Sequence, residues 1–296
     1  MLHPMRKYIV ILTLGILALG VCSCRRSQVT PDEVVMSMRE DVVFTASTAG
    51  YVTKASDASL EDGDTMGIFA LEPLNYLNVK GTVSGTSVTP ETPVKWQLDQ
   101  TVTTRFVAYL PYEAQLAAVD YQFSVQADQS AYSGYQASDL RIAITDVRPG
   151  KAVDLVFNHA LSKLIVDATC KDPSEEVTAV ETAEVVVGAQ VNLVDGSLPE
   201  VEAVKGTVKV GKAVPANGGE GFVAILPPQT GLFPLKLTLS SGRTVDCTLE
   251  KPAVFEPGFA YKATILVPRE EGKVYFSLSI ADWENGGVMP YDKPNE

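Results

Sequence analysis

The chain has 296 residues, 46% of them apolar, and its 24 basic and 36 acidic side chains give a formal charge of −12. That composition is too apolar for wholesale disorder, and it lacks the basic field that would hold phosphates, which excludes a nucleic-acid partner. His3 and His159 are the only histidines, and Cys22, Cys24, Cys170 and Cys247 lack zinc-finger spacing, so no metal, no cofactor and no His-dependent triad is expected.

In chain order, the first feature is a targeting signal. Arg6 and Lys7 precede an uncharged run from Tyr8 to Val21. The run is shorter than the roughly 20 residues a membrane helix needs and suits the apolar part of a secretory signal. Val21-Cys22-Ser23-Cys24 then resembles a bacterial lipobox, with residues 1–23 removed and Cys24 lipidated as the first mature residue. Cys22 fits less well, because Val21 would then be the small residue before the cut. The alternative is plain secretion, with cleavage near Ser23 and no lipid. Removing residues 1–23 takes away Arg6 and Lys7 and no acid, which moves the charge from −12 to −14. No other long apolar run follows, so the acyl chains on Cys24 are the expected membrane anchor. Residues 24–40 read as a polar tether, in which Val34, Val35, Met36 and Met38 form at most a short strand.

Short alternating runs separated by turn residues fill the rest. Val43, Thr45 and Ser47 oppose Phe44 and Ala46. Met66, Ile68 and Ala70 oppose Gly67 and Phe69. Leu235, Leu237 and Leu239 alternate with Lys236, Thr238 and Ser240. Val and Thr are abundant, as pleated strands favour. Asp62-Gly63, Asp195-Gly196 and Ser241-Gly242 are turn formers, and the last two sit between alternating runs as hairpin signals. Helical periodicity is scarce; Tyr112–Ala118 is the one short candidate. The pattern predicts an all-β chain of two tandem β-sandwiches. Pro149 and Gly150 precede a fresh apolar run, which sets the expected boundary between an N-terminal sandwich, 41–150, and a C-terminal one, 151–296.

Several segments together resemble the fimbrillin family, β-sandwich lipoproteins that form or cap type V pili on Gram-negative gut and oral bacteria. VFTAS (43–47), LEDGDTMGIFA (60–70), TTRFVAYLPY (103–112), SDLRIA (138–143), AILPPQT (224–230), PGFAYKATI (257–265) and FSLSIADWENGG (276–287) carry the resemblance. The sharpest match is VDLVFNHALSKLIVDA (153–168). The resemblance implies two tandem transthyretin-like or Greek-key sandwiches. It implies a surface-exposed outer-membrane lipoprotein acting as a minor, tip or anchor subunit in fimbrial assembly and adhesion by β-strand exchange. The implied partners are other fimbrial subunits, the outer membrane through the lipid, and host or bacterial surface glycans or proteins. A freestanding glycan-binding lipoprotein is the alternative. In shaft pilins of this family a protease cuts after an arginine; Arg39, just before DVVFTAST, is the best match, with a solvated tether residue as the competing reading. The tail after Trp283 carries Pro290 and Pro294, which cannot donate to a ladder, and so makes a poor donor strand.

The remaining chemistry-bearing residues read structurally. His159, among Phe157, Leu161 and Leu164, reads as a packed imidazole with one hydrogen bond. Glu61, Asp62 and Asp64 read as a turn around Gly63 rather than a calcium loop. Trp96 and Trp283 read as core. Ser162 and Lys163 are strand neighbours on opposite faces and cannot share a proton, and no enzyme is expected. The polar, Tyr/Ser/Gln-rich segment holding Tyr121, Tyr132 and Tyr135 is the candidate adhesive loop. Parity points both Cys170 and Cys247 into the second core, as a disulfide or as two buried thiols.

Overall fold

The computed structural model describes residues 39–49, 60–199, 202–213, 221–270, 272–281 and 283. The expected signal, Cys22, Cys24, the expected tether before Arg39 and the tail beyond Trp283 lie outside the described residues. The first half runs β1 (Phe44–Thr48), β2 (Thr65–Ala70), β3 (Tyr76–Ser84), β4 (Ser87–Pro90), β5 (Thr104–Leu110), β6 (Asp120–Ser124), a helix α1 (Tyr132–Ser138), β7 (Arg141–Val147) and β8 (Val153–His159). The second runs β9 (Ser162–Cys170), β10 (Val177–Val186), β11 (Gly188–Asn192), β12 (Lys205–Ala213), β13 (Gly221–Leu226), β14 (Gln229–Gly231), β15 (Leu235–Leu239), β16 (Thr244–Leu249), β17 (Ala253–Phe255), β18 (Ala260–Val267) and β19 (Val274–Ala281).

Two sheets close on themselves. The first has the order β1-β4-β3-β2-β5-β7-β8, sealed by a parallel β1–β8 ladder from Phe44↔Val153 to Thr48↔Phe157. Its β1-β4-β3-β2 portion is a Greek key read from the opposite end of the chain. The second has the order β10-β12-β13-β9-β18-β19-β16-β15. Here β12 pairs with both β10 and β13, and β19 with both β18 and β16, so two corner strands join the layers of a flattened barrel. The all-β, two-sandwich expectation matches this architecture.

The alternation explains which faces are buried. On β8, Val153, Leu155 and Phe157 point inward while Asp154, Val156 and Asn158 point outward. Phe44, Ala46, Met66, Ile68, Val88, Trp96, Phe106 and Ala108 fill the first barrel with them. On β5 the alternation fails because both faces are covered. Phe106 and Ala108 enter the first core, while Val107 and Tyr109 on the opposite face join the apolar cluster that also fills the second barrel. A continuous apolar run is the signature of a strand buried on both sides.

Three expectations are corrected. The run beginning at Val153 does not open the second sandwich. As β8 it closes the first barrel, and the second begins at Ser162, because Val153, Leu155 and Phe157 match the inward row of β1. Tyr112–Ala118 forms turns, and among the described residues the one helix is α1, where Tyr135 is buried and Tyr132 packs against the apolar cluster. Gly134 allows the close approach, since a Cβ there would stand 2.1 Å from the Asp128 carbonyl oxygen. Ser241-Gly242 does join β15 to β16. Asp195-Gly196 turns the chain too, but its second arm is the single bridge Asn192↔Ser197.

Candidate functional site

The most elaborate chemistry lies where the two barrels meet. β6, from the first half, pairs antiparallel with β11, from the second, over Ser124↔Gly188 to Asp120↔Asn192. Beside this ribbon the buried Gln129 acts as a surrogate strand residue. Its amide donates to the Ile225 carbonyl at 2.9 Å and its Oε1 accepts the Ile225 N–H at 2.8 Å. Gln229 does the same for Val186, accepting its N–H at 2.8 Å and donating to its carbonyl at 3.2 Å. Both side chains satisfy backbone groups at sheet margins, where unpaired buried amides would otherwise cost free energy.

The expected adhesive loop is exposed at its polar positions, among them Gln122, Ser124, Gln126, Ser130 and Ser133, while its tyrosines turn toward the joint. Tyr135 is 2% exposed, and Tyr132 and Tyr121 pack against the shared apolar cluster. The ring of Tyr121 lies 5.8 Å from that of Tyr109, and its hydroxyl is buried with no hydrogen-bond partner. The Tyr109 hydroxyl donates to Asn78 Oδ1 at 2.8 Å and accepts the Glu113 N–H at 3.2 Å. Burial pushes the Tyr109 phenol up to about 12 and that of Tyr121 further still. Among the segment's polar residues Gln129 and Ser138 serve the joint, while Gln122, Ser124, Gln126, Asp128, Ser130 and Ser133 face solvent.

A buried ionic cluster completes the joint. Asp139, just after α1, accepts Arg141 Nε at 2.7 Å on one oxygen and His159 Nδ1–H at 2.7 Å on the other. Burial alone would raise the Asp139 carboxyl, but the Arg141 guanidinium and then His159 outweigh it and hold the group far below the usual carboxylate range. The His159 ring stacks on Trp283 at 3.9 Å with a 20° interplanar angle. Lys163, fully buried on β9, donates from Nζ to the Trp283 carbonyl at 3.0 Å. Ser162 points the other way, donating to the Glu256 carbonyl at 2.9 Å, so the two neighbours share no proton. His159 is thus a packed, hydrogen-bonded imidazole, and Gly63 sits at φ 95° in the turn between Glu61 and Asp64.

At the chain's entry, Glu40 to Val42 are already part of the first barrel. The Trp96 N–H donates to the Glu40 carbonyl at 3.0 Å, the Val42 N–H to the Val94 carbonyl at 2.8 Å, and Lys95 pairs with Asp41 at 2.6 Å. Arg39 is half-buried beside them. Cys170 and Cys247 are not joined by a disulfide. Cys170 lies opposite Val267 on β18, and Cys247 opposite Val274 on β19, so both of those strands stand between them. Three strand spacings amount to about 14 Å, twice the reach of a disulfide. Cys247 is a buried thiol whose pKa burial pushes up to about 12, while Cys170 is half-buried against the core. Among the described residues no group of acidic, His and Cys side chains is arranged to hold a metal ion.

Two closed β-sheets locked by a shared apolar and ionic joint define the fold class as all-β. The chain matches the fimbrillin-like family model over residues 53–283 and belongs to that family. No curated protein matches its sequence. Among solved structures, a candidate cell-adhesion protein from Bacteroides uniformis ATCC 8492 is 22% identical with a TM-score of 0.63, covering 82% of this chain and 99% of its own. One from Bacteroides ovatus ATCC 8483 is 16% identical with a TM-score of 0.65, covering 86% and 99%. One from Bacteroides fragilis NCTC 9343 is 14% identical with a TM-score of 0.50, covering 82% and 97%. At such identities the likeness establishes the fold.

Sequence reasoning quoted Asp139, Arg141, His159, Lys163 and Trp283 within the family-like segments but gave the cluster no role. Polar residues at strand ends, flanked by apolar runs, were the available signal. Gln129 gave none, because a glutamine in a polar stretch reads as solvated.

Proposed function

We propose that this chain is a lipid-anchored surface subunit of a fimbria, acting at an end of the fibre, as anchor or tip, rather than in its shaft, and associating with other fimbrial subunits by β-strand exchange. Family membership supports the fimbrial, adhesin-like part of this reading. The observation that carries the terminal role is the pairing of Glu40–Val42 with Val94–Trp96. A protease cutting after Arg39 must engage several extended residues on both sides of the bond, and those on the downstream side are already hydrogen-bonded into the barrel. Without that cut the chain keeps Cys24 and its lipid, and with it an outer-membrane location. That Tyr135 is buried and Tyr121 and Tyr132 are half-buried supports this reading over a freestanding glycan-binding role.

The test is fractionation. Native protein is expected to co-purify with fimbrial material, and a Cys24→Ala variant is expected to leave the membrane fraction. A chain found only as a soluble or membrane-bound monomer, never with fimbriae, contradicts the proposal.

A further inference from the structure

The last described strand, β19, has an unusual combination of a weak edge and a strong end. β18 holds one edge of β19 from Thr264↔Ser277 to Ala260↔Ala281. On the other edge β16 pairs only with Val274, Tyr275 and Phe276. From Ser277 to Ala281 no described strand pairs that second edge. The stretch has neither charge nor proline, and Ile280 is 69% exposed. An uncharged, half-paired edge readily frays or recruits a foreign strand.

Two residues further on, Trp283 is gripped from both barrels. His159 on β8 stacks on its ring, and Lys163 on β9 binds its carbonyl with the ammonium 5.8 Å from the ring centroid. Asp139 holds His159 in place from a third direction, and Arg141 fixes Asp139. A fully buried ammonium is expensive compared with an apolar side chain of the same length, so core filling does not account for Lys163. Its bond to a main-chain carbonyl at the end of β19 does.

We infer that Asp139, His159, Lys163 and Trp283 form a lock that fixes the end of β19 to the inter-barrel seam and decides whether the Ser277–Ala281 edge stays docked or peels away. Lys163 and His159 act through Trp283 as positioning residues; the segment they control is five residues long and lies outside the cluster itself.

Hydrogen exchange on the full mature chain tests this. In Trp283→Ala, which empties a half-buried site, amides of Ser277–Ala281 bonded to β18 are expected to exchange about ten-fold faster or more, with β9, β13 and the first barrel unchanged. Lys163→Met, close in length, is expected to do the same; if it does not fold, Trp283→Ala decides alone. In a Trp96→Phe background, where Trp283 is the sole tryptophan, His159→Ala is expected to raise acrylamide quenching of its fluorescence. Unchanged exchange at Ser277–Ala281 in Trp283→Ala overturns the lock, as does acceleration spread evenly over both barrels.

Discussion

Gln129 and Gln229 show how one side chain can stand in for a missing strand. Each lends a carbonyl and an amide N–H to one backbone position, Ile225 or Val186. Gln129→Ala leaves a buried N–H and a buried carbonyl unpaired, and is expected to destabilise the protein by about 2–4 kcal/mol, measured by urea denaturation. A loss under 0.5 kcal/mol would mean that water or a shifted backbone replaces the amide. Asp139 has the same dependence on its neighbours. Its folded-state pKa is depressed, so the stability it contributes is present above the unfolded carboxylate value of about 3.9 and is lost as pH falls below it. Asp139→Asn is expected to lower stability at pH 7 by about 3–5 kcal/mol, since it removes the buried carboxylate that pairs with the Arg141 guanidinium and His159, and to flatten the acid limb of the stability curve between pH 4 and 2. An acid limb identical to the parent's contradicts that assignment. At this scale the sequence was legible where parity decides: Cys247 inward, Ser162 and Lys163 divergent, Gly63 in a turn. It was illegible for Tyr121, Tyr132 and Tyr135, because polar composition does not say which way the few aromatic rings within it turn.

At the scale of elements, periodicity located most strands, and the turn formers located the β15–β16 hairpin. Their partners were not legible. β8 was misassigned because alternation says which face a strand buries, not which sheet it enters; its parallel partner β1 lies more than a hundred residues earlier. The helix α1 escaped notice because its buried positions, Tyr135 and Ser138, span barely one turn. The β8 assignment has a direct consequence. A fragment ending at Gly150 lacks the strand that pairs with β1 and loses Val153, Leu155 and Phe157 from its core. Residues 39–150 alone are expected to show no cooperative thermal transition by circular dichroism, because an opened barrel exposes its apolar interior and two strand edges. A sharp transition in that fragment would show that β8 is dispensable.

For the whole molecule, the two barrels share an apolar cluster running from Phe69, Val107 and Ile142 into the second core, so the joint is continuous with the interior and not a hinge. The formal charge of −12 keeps like chains apart by repulsion and names no partner. The proposed terminal role rests on a separate contact, the pairing of Glu40–Val42 with Val94–Trp96 on the downstream side of Arg39. The most direct measurement is the intact mass of the native protein recovered from cells. A chain beginning at a lipidated Cys24 is the expected result; a chain beginning at Glu40, cut and without lipid, would contradict the account.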